Sequence, residues 1–327
     1  MTVLATAENA TGGLRLSATD ADELVTLART VIRRVPGGRI DDPEMIDACR
    51  QASMLMPASL RGVLRGFQRE SGERGAALIR NLPIDEAALP CTPGTSTSVQ
   101  RFGTVPALLL MLIAAELGEP VAFRAEKSGA LVQDVVPVRG KEDFQGNAGS
   151  VLLSFHNENA FHPYRPDFVM LLCLRADRDR VAGLRTACVR EMLPLLSPAA
   201  RTALSSPDFV TAAPPSFGTG QATAPHAVLS GAPEDPDIRV DFAATKALGP
   251  AAQQALSELR DLCEQVAHTV VLNPGDLAIV DNRVTLHGRT AFRPRYDGAD
   301  RWLQRTFVLR DFRRSRIDRP HDGHIIA

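Results

Sequence analysis

The sequence predicts a mainly β fold, an antiparallel barrel or sandwich, packed against helices gathered in the first third of the chain. Three observations carry that prediction. Apolar residues recur at helical spacing up to about residue 120, and short runs rich in β-branched residues recur after it. Turn residues separate those runs, with no internal repeat and no linker-like stretch among them. At 327 residues, with 44% hydrophobic and 23% charged, the chain can bury a sizeable core as one domain. Residues 1–120 form its helical layer and 121–312 its β core.

Along the chain, residues 20–34 place Leu24, Leu27, Ala28 and Ile32 on one helical face. Residues 43–56 repeat the pattern, and 58–70 form a basic amphipathic helix. A strand-like run at 76–79 ends in the turn-prone Asn81-Leu82-Pro83. Val105–Leu117 is a further helix, closed by Gly118 as C-cap. Strands follow at 130–132, 151–155, 168–174, 186–189, 270–272, 278–280 and Trp302–Leu309, with one long helix at 250–268. The Pro-, Gly- and Ser-rich stretch 212–236 has no periodicity, and a loop that long in a compact domain is more often functional or disordered than structural. The basic tail after Arg313 reads as surface.

Composition removes several function classes. A net charge of −1, from 37 basic and 38 acidic residues, offers no basic stripe for nucleic acid. No apolar run approaches the roughly 20 residues that span a bilayer, and the longest, 107–115, stops at Glu116. The first residues lack a basic segment followed by an apolar one, so the expected compartment is the cytoplasm. Five cysteines without a CxxC pair argue against zinc ribbons and disulfide frameworks, and Cys173 and Cys188 sit in apolar runs as core residues.

Two segments bring metal-ligand chemistry. In LLSFHNENAFH a strand runs out into His156-Asn157-Glu158, and residues i and i+2 of an extended chain point to one side. In PGDLAIVDNRVTLHGRTAF an apolar strand leads through Asp281 to His287. Two imidazoles and one carboxylate can hold one face of a six-coordinate ion and leave three positions open, the pattern of non-haem iron(II) oxygenases. A bare His-x-Glu also arises by chance, and His162 and His226 compete nearby as packing or surface residues. A third segment, RYDGADRWLQRTFV, places Arg301 14 residues beyond His287, with Arg305 on the same strand face. Two such forks suit bidentate binding of carboxylates, although a surface ion-pair strand would carry the same pattern.

The order His-x-Glu, distal His, then Arg 14 residues on resembles the clavaminate synthase-like branch of the 2-oxoglutarate-dependent oxygenases. The glutamate is informative, because most relatives outside that branch have His-x-Asp. The likeness is closer still to the asparagine oxygenases of non-ribosomal peptide biosynthesis. It runs through EKSGALVQDVVPV, FQGNAGS, FHNENAFH, RPDFVMLLCLRAD, GLRTACVR, LAIVDNRVTLHGRT and DRWLQRTFVL, and weakens over 1–20, 212–236 and the tail.

The resemblance implies a double-stranded β-helix, or jelly-roll, core with 212–236 as a lid. It implies that His156, Glu158 and His287 hold Fe(II), and that Arg301, helped by Thr186, anchors 2-oxoglutarate. It places the substrate amino acid against Glu126, Asn147, Asp241 and Arg305. It also implies that O2 and 2-oxoglutarate are converted to succinate and CO2, with L-asparagine hydroxylated at C3 as an antibiotic precursor.

Elementary chemistry agrees with those roles. A free amino acid needs an acid for its ammonium and a positive fork for its carboxylate, which Glu126 and Arg305 supply. A buried Asp241 needs a donor, which a side-chain amide provides, whereas aspartate would set like charges together. Glu126 and Asp241 could equally be solvated surface acids. Other expectations stay open: an arginine, lysine or glutamine hydroxylase, or a non-catalytic jelly-roll binding protein. Oligomeric state is not legible.

Overall fold

The computed structural model describes residues 13–218 and 220–327, so the leaderless reading of the first twelve residues lies outside them. The first described helix, Ala18–Arg34, starts at a capping box. The Ser17 hydroxyl accepts the Asp20 N–H while the Asp20 carboxylate accepts the Ser17 N–H. It turns Leu24, Ala28 and Val31 inward, beside Pro43–Ser53 and Ala58–Arg69. All three pack on Val105–Leu117, which is apolar on every side and therefore buried on every side.

Behind these helices stands an eight-stranded sheet. Its order is Gly13–Arg15, Ala76–Arg80, Leu277–Asp281, Phe168–Arg175, Trp302–Leu309, Glu119–Phe123 and Ile325–Ile326, with Gln133–Val135 also pairing to Trp302–Leu309. A four-stranded antiparallel sheet, His268–Val271, Gly183–Cys188, Thr285–Arg289 and Leu153–His156, lies opposite. Leu171, Leu184, Leu303 and Phe307 belong to one buried cluster that joins the two sheets in a jelly-roll core. The outer face of the small sheet is covered by Pro198–Leu204 and Pro250–Val266. No helix among the described residues is long and apolar enough to cross a membrane.

Several expected boundaries move for physical reasons. Residues 130–132 are buried but unpaired as a strand, because a turn at Lys127–Gly129 with three positive φ values delays pairing until Gln133. Short helices at Val189–Met192 and Pro198–Leu204 have no counterpart in the sequence reading. The 212–236 stretch is not one loop. Its first residues line a cavity, while Leu229–Ala232 and Asp235–Ile238 form a hairpin tied to Arg190 through Asp235. The tail is not all surface: Ile325–Ile326 adds a parallel strand to Glu119–Phe123, and buried Arg319 stacks on Phe312. Four cysteines are buried and Cys91 is exposed, none of them paired.

Candidate metal and substrate site

The small sheet aligns the candidate ligands by register. His156 pairs with His287, and His287 pairs with Thr186 on its other side. Directly opposed residues share a face, so the three side chains form one row. The register shifts between His287 and Arg289, where Gly288 lies so close to the neighbouring strand that a Cβ would stand 2.5 Å from the Leu153 carbonyl oxygen. Glu158 follows just beyond the end of its strand and is fixed by Asn282. The Glu158 N–H donates to Asn282 Oδ1 at 2.8 Å, and Asn282 Nδ2 donates back to the Glu158 carbonyl at 3.0 Å. Asn157, also buried, donates to the Asn282 and Thr285 carbonyls and accepts from the Val240 N–H.

The ligand atoms of His156, Glu158 and His287 lie within 4.8 Å of one another. The two imidazole rings are 4.4 Å apart, and His287 Nε2 is 3.7 Å from Glu158 Oε2. His156 Nδ1 meets the Ser154 carbonyl at 2.9 Å. That contact makes Nδ1 the protonated nitrogen and leaves Nε2 with a lone pair. Burial, reinforced by His156, pushes the His287 pKa down to about 4. Burial alone would raise Glu158, but the Arg305 guanidinium and the His287 hydrogen bond outweigh it and hold the carboxyl well below its usual range. A neutral buried imidazole, a second imidazole with an open lone pair and an ionised carboxylate make a donor set that fits a divalent iron centre.

Arg305 is the hub of the site. It is 2% exposed, and its Nη1 donates to Glu158 Oε2 at 2.8 Å. Its Nη2 donates to Glu126 and, at 2.5 Å, to Gln133 Oε1. With its amide oxygen toward the guanidinium, Asn147 accepts from Nη1 at 2.9 Å and Nη2 at 3.1 Å. Burial raises the Glu126 pKa against the pull of Arg305. One guanidinium thus faces two acids, an arrangement with room for further positive charge.

A cavity of about 750 Å³ opens onto this cluster, lined by Glu126, Asn147, His156, Glu158, Asp241 and Phe217 among others. Asp241 sits across an isolated bridge from His156, and its Oδ1 accepts the Ala243 N–H at 2.8 Å. Arg301 and Thr186 are buried and lie outside that lining. Thr186 stands beside His287, and Arg301 lies 5.9 Å from the Phe292 ring. His162 and His226 stand apart from the triad. His162 Nδ1 accepts the Tyr164 N–H at 3.0 Å among aromatic rings, and His226 contacts the Thr211 hydroxyl and the Ala227 carbonyl.

The sequence reading missed Gln133, Asn157 and Asn282. All three fall inside segments quoted above; for Gln133 the signal would have been an amide in a mostly apolar run, whereas Asn157 and Asn282 stand among charged residues that hide them. A buried amide needs partners: Asn157 and Asn282 find theirs in the loops beside Glu158, and Gln133 finds its own in Arg305 and the Ala130 carbonyl.

A family model described as taurine catabolism dioxygenase TauD, TfdA family, matches residues 217–307. An L-asparagine oxygenase from Streptomyces coelicolor is 59% identical over 291 residues, 89% of this chain and 87% of that protein. Clavaminate synthase 2 from Streptomyces clavuligerus is 33% identical over 296 residues, 89% of this chain and 90% of that one. The chain belongs to the clavaminate synthase-like oxygenase family. Within the family, a crystal structure of asparagine oxygenase in complex with Fe(II), 2S,3S-3-hydroxyasparagine and succinate superposes with a TM-score of 0.94. The two are 56% identical, and the match covers 96% of this chain and 98% of that one.

Proposed function

We propose that this chain is an iron(II)- and 2-oxoglutarate-dependent dioxygenase that hydroxylates free L-asparagine at C3. The products are 3-hydroxyasparagine, succinate and CO2. The observation that carries the substrate class is the buried cluster of Arg305 with Glu126 and Asn147 beside the His156–Glu158–His287 group. It offers a positive fork and an acid, the complement of an amino acid's two charged ends, next to a metal-type donor set.

In this reading His156, Glu158 and His287 hold the iron, which when bound supplies the activation of O2 and the oxidation of the C–H bond. The rest of the work belongs to the chain. Arg301, with Thr186 near the metal row, binds the far carboxylate of 2-oxoglutarate. Arg305 and Asn147 take the substrate carboxylate, Glu126 the ammonium, and Asp241 the side-chain amide N–H. Residues 212–217, led by Phe217 against Phe161 at 4.7 Å, close the cavity and keep water from it. The proposed compartment is the cytoplasm, where both small substrates are at hand, and the proposed use of the product is as a precursor of a peptide antibiotic.

The test supplies L-asparagine, iron(II), 2-oxoglutarate and O2 and looks for succinate together with a mass gain of one oxygen on asparagine. A panel of free amino acids run beside it sets the substrate. Faster turnover of lysine, arginine or glutamine than of asparagine would displace asparagine from the assignment. Full turnover in His156→Ala with iron still bound would remove the triad.

A further inference from the structure

The strand that carries His287 carries Arg289 two residues further on, so both side chains leave the same face of the small sheet. That face looks into the space between the sheets, where Arg289 is 4% exposed and Arg301 7%. The two guanidiniums flank one ring, at 5.1 Å and 5.9 Å from the centroid of Phe292. Among the described residues neither has an ion-pair partner. Arg289 Nη2 donates to the Val151 carbonyl at 2.9 Å, while its Nε is buried without a partner. Arg301 makes no side-chain hydrogen bond to the described residues.

Two buried cations that repel each other are costly unless an anion joins them. The surroundings do not supply the anion. Asp177 is the acid whose field reaches Arg301, but its oxygens are occupied by the Val181 and Ala182 N–H groups. The nearby Cys173 thiol, pushed up to about 12 by burial, stays neutral.

We propose that Arg289 is a specificity-determining residue of the cosubstrate site, a second fork that together with Arg301 selects a keto acid bearing a distal carboxylate. This rests on the oxygenase reading above and deepens it. One carboxylate seated between both forks gains two sets of charge-assisted hydrogen bonds, and a monocarboxylic keto acid would leave both cations buried and unmatched.

The experiment uses iron-loaded enzyme under argon, titrated calorimetrically with 2-oxoglutarate and with 2-oxobutyrate, which lacks the distal carboxylate. The main variant is R289Q, which removes the charge and keeps a shorter polar side chain. Its 2-oxoglutarate affinity should fall at least about tenfold, the size of a lost charged hydrogen bond. Binding of 2-oxobutyrate and the KM for asparagine should hold within about twofold. A purely structural Arg289 would weaken both keto acids alike or neither, and either result overturns the proposal. Should R289Q fold poorly, R289K keeps the charge without the fork. A loss of discrimination of about threefold or more is then expected, and none overturns it. R301Q is the control: loss there with full discrimination in R289Q discards only the role of Arg289. Failure of the unaltered enzyme to bind 2-oxoglutarate would discard the oxygenase reading itself.

Discussion

Arg305 Nη1 lies 2.8 Å from Glu158 Oε2, so the fork assigned to substrate is bonded to a residue assigned to metal. Both of its terminal nitrogens are occupied, by Glu158, Glu126, Gln133 and Asn147. A substrate carboxylate at Arg305 therefore takes over donors that these side chains hold in its absence. In the proposed site, one guanidinium would couple substrate binding to the setting of Glu158.

Replacing that guanidinium with an apolar chain of similar length tests the coupling. Arg305→Met leaves Glu126 and Glu158 buried without their cation, a loss that typically costs about 3–5 kcal/mol. Thermal unfolding of the metal-free variant should show it, and added divalent metal should restore part of it by neutralising Glu158. Asparagine kcat/KM should fall by about 100-fold or more, while the affinity for 2-oxoglutarate stays as it was. Equal loss of both ligands would place Arg305 in the scaffold rather than in the substrate site.

Asp241 should decide amide against acid. Its Oδ1 is engaged by the Ala243 N–H and its backbone N–H by the Thr245 hydroxyl, so the carboxylate is held in place at the cavity wall. An aspartate side chain there meets like charge. Asp241→Asn relieves that repulsion and should lower the asparagine-to-aspartate preference by about 100-fold. A competition assay with both amino acids, read by mass spectrometry, measures the ratio directly, and an unchanged ratio would detach Asp241 from the side-chain end.

The parts of this site that were legible in the sequence are those whose chemistry is local. His156 and Glu158 are two residues apart on an extended segment, and Trp302–Leu309 alternates clearly enough to put Arg305 on the inner face. Thr285–Arg289 did not read as a strand, because His287 and Arg289 on its inner face are polar and a glycine stands between them. Those same features make it the strand that carries His287, a candidate ligand. The bond between Arg305 and Glu158 spans 147 residues of chain and leaves no periodic trace. Gln133 was obscured in another way: the left-handed turn at Lys127–Gly129 shifts the strand by three residues from the apolar run that announced it.

Acid should weaken the fold partly through His162. Burial, assisted by Arg239 and opposed by Asp318, pushes its pKa from 6.5 down to about 4, and its Nδ1 is already accepting the Tyr164 N–H. The unfolded chain takes up the proton near 6.5 and the folded chain only near 4. Between those values the unfolded state binds more protons, so stability declines as pH falls through the window and levels off below it. His162→Phe keeps an aromatic ring against Phe123 and Phe217 and removes the titration. Its urea-unfolding stability should lose less between neutral pH and about pH 5 than the wild type loses. The difference should be on the order of 1 kcal/mol, discounted for the ring's partial exposure. Parallel curves for the two proteins would remove His162 from the acid response.

Gly288 controls the distance between the two imidazoles. A Cβ at this position would stand 2.5 Å from the Leu153 carbonyl oxygen and 3.4 Å from that of Ser154, and both are backbone atoms with little freedom to yield. Gly288→Ala must therefore push the Leu153–His156 strand away from Thr285–Arg289, at the bulge that sets His156 opposite His287. Overpacking of this kind costs about 1–3 kcal/mol, visible as a lower unfolding temperature. Widening the 4.4 Å gap between the rings should also cost about 10–100-fold in metal affinity, as loss of a supporting contact around a metal site typically does. Titrating cobalt(II) into the metal-free protein measures that loss without turnover. Wild-type cobalt affinity in a folded Gly288→Ala would mean that some other contact holds the two histidines together.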